Sequence, residues 1–344
     1  MSTSKTITLK TYAEEGLPQK ENFEIVTSTV HTDQLEEGDV AIQVLAMSAD
    51  PYLRGRIKSS GMLKLGDPLA GFVAGKVINS KNTAWVTGDL IGASLPFSTI
   101  QIIKKDTFAK TYAWKLTGLI EEKDINLGVG ILGMPGSTAY GGLIDVLRPN
   151  NGETIFISAA SGAVGSLVGM IAKQVYNCKV IGSCGGAEKC ALIKEKFGFD
   201  HAIDYKTCHS ADDLMAALKA VAPDGIDMYF ENVGGFHFEA SFNSLRTGGR
   251  IAVCGQIAEY NSREPNLCKI NPMKMIYSAQ RIEGFVCGPW ITGKKGSFLK
   301  DMHKWLVEGK LVRQETVFNG IEAWIDGFQS LFTGANVGKV VVRV

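Results

Sequence analysis

The sequence predicts an α/β protein in two parts: a mainly β first domain, then a doubly wound parallel sheet, with the tail returning to the first. Three observations carry this. At 344 residues the chain exceeds one ordinary core. Its rhythm changes near Glu153, from short β-like runs to strands alternating with helices. Its last apolar run, Gly338-Lys339-Val340-Val341-Val342, is a strand suited to an edge of the first domain, which makes that domain discontinuous.

The β-like runs of the first half are Ile7 to Leu9, Val40 to Ala46, Phe72 to Ile78 and Leu90 to Ala93, punctuated by turn residues such as Glu37-Gly38-Asp39. They imply a compact, mainly β barrel. From Thr154 to Ile157 a strand runs into a glycine turn and then a helix with Leu167, Val168, Ile171, Ala172 and Val175 on its apolar side. Strands at Lys179 to Ser183, His201 to Ile203, Asp227 to Glu231, Arg250 to Cys254 and Arg281 to Val286 alternate with helices at Ala187 to Phe197 and Ala211 to Val221. Such spacing implies βαβ units. The tail reads as helix Ser297 to Glu308, a β-like Val312 to Phe318, helix Ile321 to Phe332 and the closing strand. The expected division is 1–125, 126–311 and 312–344.

Composition narrows the function. Hydrophobic residues make up 45% and charged residues 21%, as in a globular protein. The net charge of +1 argues against a nucleic-acid or anionic-membrane partner, and pairs such as Lys104-Lys105 and Lys294-Lys295 are isolated. A small-molecule partner is expected. The uncharged run Thr154 to Ala172 reaches the roughly 18 residues of a membrane span, but Gly162, Gly165 and three serines break it, so a buried strand-turn-helix explains it better. Met1 to Lys10 shows no signal peptide, and the seven cysteines form no C-x-x-C pair. Reduced thiols and a cytoplasmic location are the expectation.

Ala159-Ala160-Ser161-Gly162-Ala163-Val164-Gly165 is an A-x-x-G-x-x-G turn that follows a strand and opens a helix. Glycines there permit a tight turn and close backbone approach, and the helix start aims N–H groups at a pyrophosphate. An NAD enzyme places an acid roughly 20 residues on, for the ribose 2′-hydroxyl. Here the second strand ends in Gly182-Ser183-Cys184-Gly185-Gly186, followed by Lys189. Lys189 taken alone reads more readily as a solvated helix residue than as a phosphate ligand; with the acid missing, NADP (NADPH) is the better fit. The five histidines show no ligand spacing, and Cys208-His209 stands unsupported, so no metal is expected.

With these residues in hand, the chain resembles the zinc-independent medium-chain dehydrogenase/reductases, in particular the prostaglandin reductase, leukotriene hydroxydehydrogenase, alkenal double-bond reductase and curcumin reductase family. The likeness rests on Met47-Ser48-Ala49-Asp50-Pro51-Tyr52-Leu53-Arg54, Gly133-Met134-Pro135-Gly136-Ser137-Thr138-Ala139-Tyr140 and Ser158 to Gly165. It continues in Glu231-Asn232-Val233-Gly234-Gly235, Cys254-Gly255-Gln256-Ile257 with Tyr260, and Asn336-Val337-Gly338-Lys339. The resemblance implies a Rossmann-type sheet, a discontinuous GroES-like mainly β domain, a cofactor held between them and a homodimer. It implies that Ala163, Val164, Gly165 and Ser166 face the pyrophosphate, and that Lys189 and Tyr205 hold the 2′-phosphate. Asn232, Cys254, Gly255, Gln256, Ile257, Tyr260, Phe285, Val286, Cys287 and Asn336 would line the cofactor. The sequence departs from relatives at Gly186, where a serine is frequent, and over Pro265 to Pro272, which lacks a proline-rich stretch and is expected to border the substrate.

The expected reaction is NADPH-dependent reduction of the carbon–carbon double bond of an α,β-unsaturated aldehyde or ketone. Hydride would go to the β-carbon, with the enolate stabilised by a tyrosine and the cofactor's ribose hydroxyl. Tyr52, Tyr260 and Tyr277 match the family's active-site positions, and Tyr52 and Tyr260 are the better placed to touch substrate. Each also reads as a half-buried aromatic with its hydroxyl at the surface. Quinone reduction, and non-catalytic NADPH binding, remain alternatives.

Overall fold

The structure is a computed structural model and describes residues 1–108, 110–264 and 266–344. The first segment holds β1 (Ser2–Leu9), β2 (Phe23–Val30), β3 (Val40–Ser48), α1 (Leu53–Arg56), β4 (Ala70–Ser80), β5 (Leu90–Pro96), β6 (Ile100–Ile103), α2 (Lys105–Phe108) and β7 (Ala113–Lys115). Next come α3 (Met134–Tyr140), which runs on as a π-helix over Gly141–Leu147, then β8 (Thr154–Ile157), α4 (Ala163–Gln174), β9 (Lys179–Cys184), α5 (Ala187–Glu195), β10 (His201–Asp204) and α6 (Ala211–Val221). They are followed by β11 (Ile226–Glu231), α7 (Phe236–Ser244), β12 (Leu245–Val253), α8 (Pro272–Tyr277), β13 (Arg281–Gly284), α9 (Gly288–Ile291) and α10 (Phe298–Val307). The tail adds β14 (Glu315–Asn319), α11 (Trp324–Thr333) and β15 (Lys339–Arg343).

The chain divides into two compact units: Met1–Met134 with Ile291–Lys295 and Glu315–Val344, and Pro135–Trp290 with Gly296–Gln314. In the second unit six parallel strands lie in the order β10-β9-β8-β11-β12-β13. That is the doubly wound dinucleotide-binding order, and the chain reverses direction across the sheet between β8 and β11. The uncharged run Thr154 to Ala172 is β8, the turn and the buried body of α4. Among the described residues no helix is long and apolar enough to cross a membrane. Phe156 and Tyr229 stack at 5.3 Å in a core that also holds Ile181, Leu214 and Phe242.

Several elements differ from their sequence-based bounds. β12 begins at Leu245 rather than Arg250, because Gly248, at φ +76°, lets the chain bend inside the strand. β13 stops at Gly284 and leaves Val286 76% exposed. β14 starts three residues later than Val312. Helices α3 and α7 are additional to the sequence reading.

In the first unit β1 pairs with β2, and a seven-stranded sheet runs β14-β15-β3-β4-β5-β7, with β6 also on β3. One edge of β3 is shared: Val40–Gln43 face β6, and Ala46–Ser48 face β15. The closing strand is thus an interior one, with β14 on its outer side in parallel. Trp324 of α11, fully buried, stacks on Phe328 at 4.9 Å and donates its indole N–H to Ser48 O at 3.1 Å.

Candidate functional site

At the C-terminal edge of the parallel sheet the chain leaves β8 through Ser158–Gly162. Ala159 takes φ +49°, and its carbonyl accepts the N–H of Gly162 at 2.9 Å. The N–H of Ala160 donates to Ser183 O at 2.9 Å, stitching the turn to β9. A Cβ on Gly165 would lie 2.5 Å from Ala159 O, so helix and turn approach as only glycine allows. Helix α4 is capped by Gly162 and has no side-chain cap, so the N–H groups of Ala163, Val164 and Gly165 present the helix's positive end. Ser166 is buried and its N–H returns to Gly162 O at 3.1 Å.

The loops after β11 and β12 are tied to this turn. Asn232 donates its backbone N–H to Ser158 Oγ at 2.9 Å and its side-chain amide to Ser158 O at 2.7 Å. Glu231, fully buried, accepts from Val233 N at 2.5 Å, Gly234 N at 3.0 Å and Ser158 Oγ at 3.2 Å. Burial raises its carboxyl pKa against those bonds. Its main-chain oxygen takes the N–H groups of Cys254 and Gly255, and Asn232 O takes that of Ile257. Asn232, Cys254, Gly255, Gln256 and Ile257 therefore belong to one hydrogen-bonded platform. Glu231 is the buttress of that platform, a role sequence reasoning missed.

Tyr260 stands on the same platform. Its phenol oxygen accepts the Gln256 N–H at 3.4 Å and lies 3.0 Å from where a Cβ of Gly255 would be. Accepting there leaves the phenol hydrogen to donate elsewhere. Burial raises its pKa, which keeps it protonated. Phe285 packs edge-on against Phe230 and Trp290, each at 6.0 Å, and Cys287 O accepts from Ser137 Oγ at 3.1 Å.

Tyr277 is not brought to this group. It ends α8, the crossover that returns to the N-terminal edge of the sheet, where Ser278 O accepts the N–H of Gly248 at 2.7 Å. Its ring is 78% exposed. Pro265 lies outside the described residues, so the expected substrate-bordering segment is described only from Asn266 onward.

The β9–α5 loop forms the other end of the site. Gly186 has φ +97°, a conformation that glycine adopts without strain. A Cβ on Gly185 would lie 3.0 Å from the Tyr205 hydroxyl and 3.1 Å from the Lys206 side chain. Partial burial lowers the Lys189 pKa, Cys184 opposes this, and the charge of Lys206 adds to the lowering. A partly desolvated ammonium with the charge of Lys206 close by suits a phosphate. Lys206 was missed by the sequence reading, as was Asp204. No acid follows β9 directly, but Asp204 reaches the loop from the neighbouring β10 and accepts from Gly186 N at 2.8 Å and Lys206 N at 3.0 Å. Tyr205 packs edge-on to His237 at 5.7 Å.

In the first unit, Tyr52 packs edge-on to Phe72 at 6.4 Å, with the Arg56 guanidinium 5.1 Å from its ring centre. Asn336 donates to Gly338 O at 3.3 Å. The segments that carry them are joined by Lys339, whose ammonium donates to Ala49 O at 2.7 Å and Asp50 Oδ1 at 3.0 Å. Ser48 Oγ donates to the other carboxylate oxygen of Asp50. Among the described residues no group of three or more His, Cys, Asp or Glu could hold a metal ion.

Comparison with known proteins adds the following. The zinc-binding dehydrogenase family matches residues 163–305, and the N-terminal domain of oxidoreductase family matches residues 5–111. The chain is 38% identical to prostaglandin reductase 1 of Rattus norvegicus over 344 residues, 100% of both chains. It is 39% identical to the NADP(+)-dependent 2-alkenal reductase of Nicotiana tabacum, covering 99% of this chain and 97% of that one. The crystal structure of CurA from Vibrio vulnificus in complex with NADPH superposes with a TM-score of 0.85 at 32% identity, covering 99% of each chain.

Proposed function

The chain belongs to the medium-chain dehydrogenase/reductase family, in the branch of the prostaglandin, 2-alkenal and curcumin reductases, and from that membership we propose that it reduces the carbon–carbon double bond of α,β-unsaturated aldehydes or ketones. It is an oxidoreductase, and its cofactor is NADP(H). The residues present fit that cofactor. The α4 start, which has no side-chain cap, and the Gly162–Gly165 turn suit a pyrophosphate, and Lys189, Tyr205 and Lys206 around Gly185 suit a 2′-phosphate. Bound NADPH supplies the hydride for the β-carbon.

One observation carries the mechanism: the Tyr260 phenol accepts a backbone N–H and keeps its own hydrogen to give. Hydride addition to the β-carbon moves negative charge onto the carbonyl oxygen, and a neutral donor fixed in place stabilises that oxygen. Tyr260 takes this role first in our reading, and Tyr52 of the first unit is the second candidate. Tyr277, exposed at the opposite sheet edge, is left out. Asn232 acts through Ser158 as a positioning residue for the turn.

The discriminating experiment follows NADPH oxidation with an enone, an enal, a quinone and a saturated ketone. Turnover of the first two alone supports the reading. Turnover of the quinone alone favours quinone reduction, and no turnover leaves a cofactor-binding protein. Family membership also supports a homodimer, for which β13 offers a sheet edge unpaired among the described residues. All seven cysteines are free thiols, in keeping with a cytosolic location.

A further inference from the structure

The loop assigned to the 2′-phosphate is bracketed by two thiols. Cys184 closes β9 and Cys190 lies in the first turn of α5, with Gly185, Gly186, Ala187, Glu188 and Lys189 between them. Their sulfurs are 3.4 Å apart. We propose that Cys184 and Cys190 are a redox modification site, oxidised by hydroperoxides to a reversible disulfide that closes the phosphate loop against NADPH. This rests on the reading that Lys189 and its neighbours hold the 2′-phosphate.

The geometry favours it in three ways. A disulfide needs its sulfurs at about 2.05 Å, so the pair has little more than an ångström to travel. Cys184 is fixed: it is 1% exposed and pairs with Asp204 across the β9–β10 ladder. Cys190 is only partly buried and sits beyond Gly186, whose open surroundings and positive φ let the turn shift. Closing the bond draws the start of α5 toward β9 and carries Lys189 with it, next to Tyr205 and Lys206, which already crowd Gly185.

The chemistry balances without a further reactant. Cys190 gives up its proton and its thiolate attacks the hydroperoxide; the O–O bond breaks and the alkoxide leaves, taking up that proton as an alcohol (water, for hydrogen peroxide), which gives a sulfenic acid. Cys184 sulfur then attacks Cys190 sulfur, the S–O bond breaks, and the Cys184 proton leaves with hydroxide as water. The two thiols lose two electrons, and the peroxide gains them. Burial raises the Cys184 thiol pKa, which leaves the first attack to Cys190.

The test treats the full-length protein with hydrogen peroxide, then measures intact mass, a tryptic map and NADPH affinity. Trypsin cuts after Lys189, so the disulfide would join Val180–Lys189 to Cys190–Lys194, in a protein about 2 Da lighter. We expect this product, NADPH binding weakened by about tenfold or more, and recovery with dithiothreitol. Cys190→Ser and, independently, Cys184→Ala should abolish the response to peroxide. Absence of the joined peptides in the wild type overturns the inference and leaves the phosphate reading intact. Joined peptides with unchanged NADPH affinity overturn the closure. Should Lys189→Ala in the reduced protein bind NADPH normally, the phosphate reading fails and the inference falls with it.

Discussion

Lys339 places its ammonium 3.0 Å from Asp50 Oδ1, both side chains buried, and so ties together positions 289 apart in sequence. Burial lowers the Lys339 pKa, and Asp50 opposes the shift. The pair fixes the start of the loop that carries Tyr52 to the strand that follows Asn336. Asp50→Ala strands a buried ammonium and should cost about 3–5 kcal/mol in urea unfolding. The double variant Asp50→Leu/Lys339→Met, with no charge left to bury, should recover most of that loss. A single-variant cost near zero would mean that Lys339 sheds its proton readily in the fold.

Lys189→Ala and Lys206→Ala should each weaken NADPH and spare NADH, because only NADPH carries the 2′-phosphate. A charge-assisted hydrogen bond contributes about 1.5–3 kcal/mol, or roughly tenfold to a hundredfold in affinity. Fluorescence titration with both cofactors checks this. Equal losses for the two would make the lysines supports of the loop instead.

Tyr260→Phe should lower kcat for an enone by about tenfold to a hundredfold with NADPH binding kept, since the lost hydrogen bond strengthens as charge builds on oxygen. Tyr52→Phe should show a smaller loss and Tyr277→Phe none. Full kcat in both Tyr260→Phe and Tyr52→Phe removes the tyrosine-donor mechanism.

His237 supplies a pH signature. It is 2% exposed, neither ring nitrogen has a hydrogen-bond partner among the described residues, and burial lowers its pKa from 6.5 to about 4. Between those two values the unfolded chain takes up a proton that the folded protein refuses. Stability therefore falls as pH drops through that window, by up to about 3 kcal/mol, and the loss levels off below about 4. His237→Phe should flatten this part of the curve of urea midpoint against pH. An unchanged slope would assign it to other groups.

The doubly wound sheet was legible because its strands are β-branched runs and its helices keep an apolar period, as in Leu167, Val168 and Ile171. The glycine turn was legible because strand and helix flank it. Helix α3 was not, since Pro135 and Gly136 read as breakers although proline suits a first turn. Helix α7 was hidden by aromatic residues of middling helix propensity. At the site, Lys189 could be named because it follows its own strand. Asp204 and Lys206 could not, because their approach depends on β10 lying beside β9. Tyr277 could not be placed for a related reason: matching a family position does not say at which edge of the sheet a crossover helix ends.

The interior position of β15 also sets an order on biosynthesis. Asp50 leaves the ribosome 289 positions ahead of Lys339, an interval of about 15–60 s at typical elongation rates. Throughout it the Ala46–Ser48 edge of β3 is an open ladder on a nascent chain, and the Asp50 carboxylate has no ammonium beside it. The parallel sheet, with all its strands between Thr154 and Gly284, is fully synthesised well before then. The unit begun first is thus the last to be finished. Its exposed strand edge is the stretch of this protein that a ribosome-associated chaperone has most reason to cover.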